Sequence, residues 1–456
     1  MNEMRTAMER TADAHPVEFV DEPPPPTFGG RRGRGRMKAI GLGLLMGLCA
    51  ADAMAQLSTE APARARTVPV AEQVKDESEH PRFRLGPFRM RRVFGLRDTG
   101  YNNNVFGTQE NKVADWTVTA FAGVKYLLPT GPKTYLRGVV VPEYTWYNKL
   151  SSYRAFGGTY SAALLGLYNR MSVELGGSGQ RTLAIVNSET QQLARQDSLG
   201  GGLKLEVEIL RRLSLYAGLQ GARLRFDDSG FPVSDFNAVT DLNRTEIAGR
   251  GGVRYRFSEV LSLAVQAEQV RTQFVNQAQD RDNDANSYVL VARLDQPRFY
   301  IDLTGGYREG TARSSDSFFP PYRTGLYGYF VSYFLNRSLK LQGYGWRRPV
   351  NSLSLDNPYY FETRNGGGVS VGLGARMALQ GFVLVGSNSY PMDVLVDGAP
   401  VRRVDDVTTF GGGFTFQIHR TTKLLVQGTS DQYRSDVPGS DRSIFRLSTA
   451  LSFEGE

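Results

Sequence analysis

The feature that most constrains the fold of this chain is a long alternation of apolar and polar residues. In the stretch Gly251 to Gln269, Val253, Tyr255 and Phe257 alternate with arginines, and a second alternating run follows a polar turn at 258–259. Period two in adjacent runs predicts a β-hairpin with one apolar and one polar face. The apolar face would pack on a core in a soluble sandwich, whereas it would contact lipid in a membrane barrel.

The connections between the runs separate these two possibilities, because short and long ones alternate strictly. The short turns recur roughly every 40 residues, which also suits a β-propeller, but a blade needs four short strands per period and this chain has two long ones. Eight short turns, with both chain ends on one side, give about 18 strands. We therefore predict an all-β fold, a closed antiparallel transmembrane β-barrel of about 18 strands (16–18), with short periplasmic turns and long extracellular loops. The short turns lie near residues 130–132, 169–170, 210–212, 258–259, 295–297, 336–338, 375–376 and 419–420.

In such a barrel the opening hairpin has a definite orientation. Val253 and Val265 face lipid, and Arg254 and Arg256 face the lumen. The last run, "IFRLSTALSF", alternates in the same way and ends in Phe453. A terminal strand of this kind is what the barrel-assembly machinery is understood to recognise on exported barrels, so this machinery and outer-membrane lipid are expected partners.

The N-terminal region predicts export from the cytoplasm. Residues 1–36 are expected to be an upstream extension, and residues 37–55 combine a basic start, an apolar run and an A-x-A motif, as a signal peptide does. Cleavage between Ala55 and Gln56 would also remove Cys49, the one cysteine. Residues 56–87 are polar and aperiodic, which predicts a disordered periplasmic lead before a barrel at 88–456. The expected location is the outer membrane.

Candidate catalytic and metal-binding residues are few. Of the three histidines, His15 and His80 precede the barrel and His419 lies at a predicted periplasmic turn, so none is placed for an outward-facing active site. We therefore expect no enzyme, no catalytic residues and no cofactor. Asp280, Asp282 and Asp284 resemble the first half of a calcium loop, but its glycine and glutamate are missing, and a solvated loop is the expectation. The net charge of +8 accompanies an ordinary 22% of charged residues, so we expect no nucleic-acid partner.

The inward-facing charged residues are the candidate functional residues. Several of the arginines fall on neighbouring strands, which favours a basic patch that would attract anionic solutes, including acidic sugars. The alternative is that they pair with acids across strands or stay hydrated. Aromatic residues near the strand ends (Tyr126, Tyr135, Trp146, Tyr147, Phe257, Phe299, Tyr307 and Trp346) favour girdles at the membrane interfaces. The predicted pore-lining residues are Arg137, Glu143, Arg250, Arg254, Arg256, Arg293, Asp302 and Arg308.

The segment from Leu96 to Pro129 resembles the start of the β-barrel porins found with exopolysaccharide and capsule synthesis genes. Its "NNVF" at 103–106, its Asp115 and its Pro129 occupy the places of that family's loop and second strand, with Asn where Asp is frequent. The resemblance implies an outer-membrane barrel that works with a periplasmic polysaccharide-export protein and the inner-membrane synthesis machinery. The leading hypothesis is thus a channel that secretes an exopolysaccharide or capsular polysaccharide. The alternatives are a general or solute-specific diffusion porin for small nutrients and an adhesive barrel acting through its loops.

Overall fold

The structure is a computed structural model that describes Val74 and residues 83–189, 193–227, 239–277, 280–315, 317–336, 338–354, 356–419 and 421–454. The predicted extension, the signal peptide, its cleavage position at Ala55 and Gln56, and most of the lead lie outside these residues. The end of the lead is described, and Phe83–Leu85 forms a short strand there that pairs with the first barrel strand.

Nineteen strands are present in the described residues, all paired antiparallel with their neighbours. The alternating sequence explains them, since period two suits a sheet with two different faces. The strands are β1 Phe83–Leu85, β2 Phe88–Asn102, β3 Asp115–Pro129, β4 Thr134–Tyr147, β5 Ala155–Leu167, β6 Met171–Ile185, β7 Leu193–Leu210, β8 Leu213–Asp227, β9 Arg244–Arg256, β10 Leu261–Phe274, β11 Asn283–Gln296, β12 Phe299–Ala312, β13 Tyr322–Phe334, β14 Leu339–Asn351, β15 Tyr359–Gly372, β16 Met377–Val396, β17 Ala399–His419, β18 Thr422–Ser435 and β19 Arg442–Glu454. In the connections that the structure describes, there are two short 3-10 helices, Ser151–Tyr153 and Val239–Leu242.

Strands β2 to β19 form a closed ring. Each pairs with the next, and β19 returns to pair with β2, from Arg446 opposite Asn102 to Glu454 opposite Val93. The predicted transmembrane barrel of 18 strands is confirmed. The short turns lie at one end, here called the short-turn end, and the long connections lie at the other, the long-loop end. No helix in the part of the chain that the structure describes is both long and apolar enough to cross a membrane.

The two faces of the opening hairpin are oriented as predicted. Val253 and Val265 lie opposite each other in β9 and β10 and are 43% and 63% exposed on the outer surface. Arg254, on the other face of β9, is 8% exposed. Apolar side chains therefore cover the outside of the barrel, where lipid replaces a packed core as their apolar environment.

Two expectations about the ends of the strands are wrong. Residues 387–406 lie between the predicted short turns at 375–376 and 419–420, where the alternation of short and long connections predicts a long loop. They instead continue β16 and β17 into a long hairpin that turns at Asp397 and Gly398, where both residues have positive φ. Such an extension forms because its backbone groups pair with each other, as at Val394 opposite Val401. Two residues predicted for the aromatic girdles, Tyr147 and Trp346, are instead buried on the inner face.

The short-turn end of the interior contains a small apolar cluster. Leu127 and Leu165 are buried there, with Tyr135 and Leu167 packed against them. Val74, from the segment before the barrel, is buried in the same cluster. Tyr135 therefore contributes to this inner cluster and not to a girdle.

Candidate pore constriction

The predicted pore-lining residues all lie on strand faces that point into the barrel. On β9, Arg254 Nη1 lies 2.8 Å from Glu206 Oε1, and its guanidinium stacks on Tyr216 with 5.1 Å to the ring centre. Tyr216 fits beneath the arginine because Gly252 has no side chain, and a Cβ there would meet the tyrosine Oη at 2.5 Å. Arg256 lies 3.3 Å from Glu208.

Similar pairing occurs elsewhere in the predicted set. Arg293 Nη2 lies 2.5 Å from Asp302 Oδ2. Glu143 of β4 pairs with Arg97 of β2. By contrast, Arg250 and Arg308 have no ion pair with any described residue. Most of the expected basic patch is thus a mixed-charge surface, with surplus positive charge at these two arginines. A role for the predicted residues in permeation remains a prediction.

The connection between β6 and β7 crosses the interior of the barrel. Its Ser188 Oγ lies 3.0 Å from Tyr360 Oη and 3.1 Å from Glu362 Oε1, and both partners are on β15. Strand β15 is nine strands from β6 in either direction around the ring of eighteen, so it belongs to the opposite side of the wall. Arg442 of β19 donates a further hydrogen bond to the Ser188 carbonyl oxygen at 2.9 Å.

The connection between β14 and β15 folds inward and meets the first loop. Ser352 Oγ donates to the Glu189 carboxylate at 2.8 Å, and the backbone N–H of Leu353 also donates to it at 2.8 Å. Arg281 holds the same segment from a third connection, donating to the carbonyl oxygens of Ser352 at 2.8 Å and Ser354 at 2.9 Å. The two loops therefore join inside the long-loop half of the barrel and narrow its passage.

Apolar packing fixes the second loop against the wall. Leu353 is fully buried, and its partners are inward-facing side chains of β7 to β10 and their connections. Burying a leucine side chain contributes about 1.5–3 kcal/mol to stability, so this contact anchors the loop in the lumen. The cluster comprises Ala194, Ala222, Leu224, Phe226, Leu242, Ala248, Val270, Phe274 and Leu353.

A network of buried charges lines the wall against which these loops rest. Glu362 Oε2 accepts hydrogen bonds from Arg348 Nη2 at 2.8 Å and from Trp346 Nε1 at 3.0 Å, and Arg364 lies 3.4 Å from its other oxygen. Arg403 lies 2.8 Å from Asp405. Charges of both signs therefore face the passage, which suits contact with hydrated polar solutes.

The sequence interpretation missed most of this network. Glu362 and Arg364 stand two residues apart, as do Trp346 and Arg348, so the same period-two rule that placed Arg254 could have placed them inside. Glu189 carries no such signal. It lies in a connection, and 163 residues separate it from Ser352.

Two of the aspartates that resemble a calcium loop make other contacts. Asp284 lies 3.1 Å from Arg271, whereas the Asp282 carboxylate accepts a hydrogen bond from the Phe274 backbone at 2.7 Å. Within the described ranges, no group of three or more His, Cys, Asp or Glu side chains could hold a metal ion. His419 is exposed at the short-turn end, and His15 and His80 lie outside the described residues.

Comparison with solved structures finds the same architecture at low sequence identity. OccK2 (OpdF) of Pseudomonas aeruginosa is similar with a TM-score of 0.51 and 14% identity over 80% of this chain and 98% of that one. OpdQ of the same organism gives 0.50 and 13%, with coverages of 80% and 98%. The outer membrane protein OpdK, also from Pseudomonas aeruginosa, gives 0.49 and 12%, again covering 80% and 98%. At these identities the likeness extends to the fold alone.

No family model matches the chain. No curated protein matches it either.

Proposed function

We propose that this chain is a non-enzymatic outer-membrane channel for the diffusion of small hydrophilic solutes. The observation that supports it is the joining of two inward-folded loops at Glu189 and Ser352, in a lumen lined by charged groups. A channel of this kind admits solutes by size and polar contact at a constriction. The apolar outer surface of the closed barrel supports the membrane location. Export through the signal peptide at 37–55 is part of the proposal.

The polysaccharide channel implied by the resemblance needs a different lumen. A threaded glycan requires a wide, hydrated and weakly binding passage, because tight sites would stall it. The buried bridge between the loops would have to open for every chain that passes, which favours the small-solute channel. The partners implied by the resemblance, a polysaccharide-export protein and the inner-membrane synthesis machinery, remain predictions, as does the use of the barrel-assembly machinery.

Reconstitution distinguishes the two channels directly. Purified protein in liposomes should admit a monosaccharide and exclude a dextran, as measured by osmotic swelling. In cells, deletion of the gene should slow growth on a small solute while surface polysaccharide stays normal. Loss of surface polysaccharide with unchanged growth would favour secretion, and liposomes impermeable to both sugars would contradict a channel altogether.

A further inference from the structure

The barrel wall opens between β13 and β14 at the long-loop end. Their described pairing runs from Phe334 opposite Lys340 to Tyr327 opposite Arg347 and goes no further. Beyond it, β13 still pairs with β12, as far as Tyr322, and β14 with β15, as far as Asn351. The ends of β14 and β15 therefore separate from β13 and lean into the lumen with the loop that joins them.

A pocket lies at this opening. Tyr359, from the outer face of β15, packs on Tyr322, from the inner face of β13, with ring centres 4.8 Å apart. The pocket holds about 410 Å³ of empty space, part of which is open solvent. An open space of this size has room for one end of a small solute and does not enclose a long chain. Its lining residues are Glu246, Val270, Thr272, Asn283, Arg308, Phe319, Tyr322, Pro349, Asn351 and Tyr359.

Arg308 is the one lining residue with an uncompensated charge. It is 4% exposed, and its Nε donates to Tyr322 Oη at 3.2 Å. Its Nη1 is buried without a hydrogen-bond partner, and no described carboxylate lies within ion-pair distance of the guanidinium. Glu246 lies in the same pocket but is 2.6 Å from Arg244, which balances its charge.

A buried cation without a counter-charge is unfavourable, because desolvation is not offset by an ion pair. This arrangement is retained most readily where an anion from outside the chain supplies the missing charge. A guanidinium presents parallel N–H donors that match a carboxylate, and the amides of Asn283 and Asn351 offer further polar contacts. The rings of Phe319 and Tyr359 offer apolar contact to the rest of a small solute.

We propose that this pocket is a binding subsite for the carboxylate group of a small anionic solute, with Arg308 as its binding residue. The proposal deepens the proposed function, on which it rests, by naming the class of solute. It places the subsite beside the constriction, on the part of the wall that β9 to β13 form.

The test uses the purified full-length protein with acetate as the probe and acetamide, a neutral molecule of the same size, as its control. Sodium acetate should stabilise the wild-type barrel against thermal unfolding and inhibit its single-channel current, both saturably. Arg308→Gln should raise the half-saturating acetate concentration by about tenfold or more, since a charge-assisted pair is lost. Arg250→Gln removes another inward arginine that has no ion pair with a described residue, and it should leave that concentration within about twofold. Acetamide should have no effect on any variant.

A structural role for Arg308 makes the opposite prediction for stability. If Arg308 only supports the wall, Arg308→Gln should lower the melting temperature in buffer alone. If it is a binding residue, the variant should be at least as stable as the wild type without acetate, because a buried charge has been removed. An equal acetate response in Arg308→Gln and wild type, or a less stable variant with unchanged acetate affinity, would overturn the subsite. A barrel that binds acetate but passes no ions would contradict the channel function instead.

Discussion

Introducing a charge at Val265 tests which face of the barrel contacts lipid. The residue is paired with Val253 on one side and Leu290 on the other, and all three are exposed apolar side chains. It lies four residues beyond Leu261, the first residue of β10. At about 3.4 Å per residue and a tilt near 40°, this places it about 10 Å above the short-turn end of an apolar band about 25 Å tall. Val265 is therefore near the middle of the band.

Val265→Arg should lower the free energy of unfolding by about 2–4 kcal/mol, the cost of an arginine near the midplane on the lipid face. The matched control is Gln266→Arg, one residue on and directed into the lumen. Tyr216 Oη donates to Gln266 Oε1 at 3.2 Å, so this control should lose about 1 kcal/mol for that hydrogen bond.

Unfolding by urea of both variants in lipid vesicles measures the two losses against wild type. A loss for Gln266→Arg equal to or greater than that for Val265→Arg would refute the assigned orientation. Because Arg254 lies opposite Ala264 and Arg256 lies opposite Ser262, on the same face as Gln266, that result would also reject the inward placement of both arginines.

Four further substitutions, one of them a control, test the interior and the extended hairpin. Glu189→Gln weakens the contact between the two infolded loops and should raise single-channel conductance in planar bilayers; an unchanged conductance would mean that this contact does not narrow the passage. Glu362→Gln leaves buried arginines without their counter-charge and should cost about 3–5 kcal/mol in urea unfolding. The matched control is Glu309→Gln, which removes a 3.9 Å pair to the exposed Arg323 and should cost less than about 1 kcal/mol. Similar losses of stability in Glu309→Gln and Glu362→Gln would contradict the buried network. Gly398 has a φ of +79°, which alanine adopts only at a cost of about 1–2 kcal/mol. Gly398→Ala should therefore destabilise the β16–β17 hairpin and speed its hydrogen exchange. Unchanged exchange would mean that the turn does not need a glycine.

The strands and their faces follow from the sequence because they depend on local alternation. The hairpin predicted at 251–269 is present as the end of β9 and the start of β10, and its two faces are as expected. The count of eighteen barrel strands followed from short turns that polar residues mark, two of them together with glycine or proline.

Predictions from the sequence were wrong where the type of a residue does not reveal its secondary structure or the face on which it lies. Residues 387–406 are polar because they lie beyond the apolar band, yet they stay in strands because each strand supplies the other's hydrogen bonds. Trp346 suggested a membrane interface by its residue type, but its position in the alternation places it inside, where it donates to Glu362. Composition indicates the environment a residue tolerates, and register decides the one that it occupies.

The sequence by itself determined the closed barrel, the outward apolar surface and the inward arginines, since each depends on residues close together along the chain. Only the tertiary structure decided what fills the lumen. Glu189 meets Ser352 because closure of the ring brings opposite walls within reach of their loops. Likewise, Arg308 gains its pocket because β14 leaves β13 and turns inward, and no local pattern records which neighbours a buried charge will have.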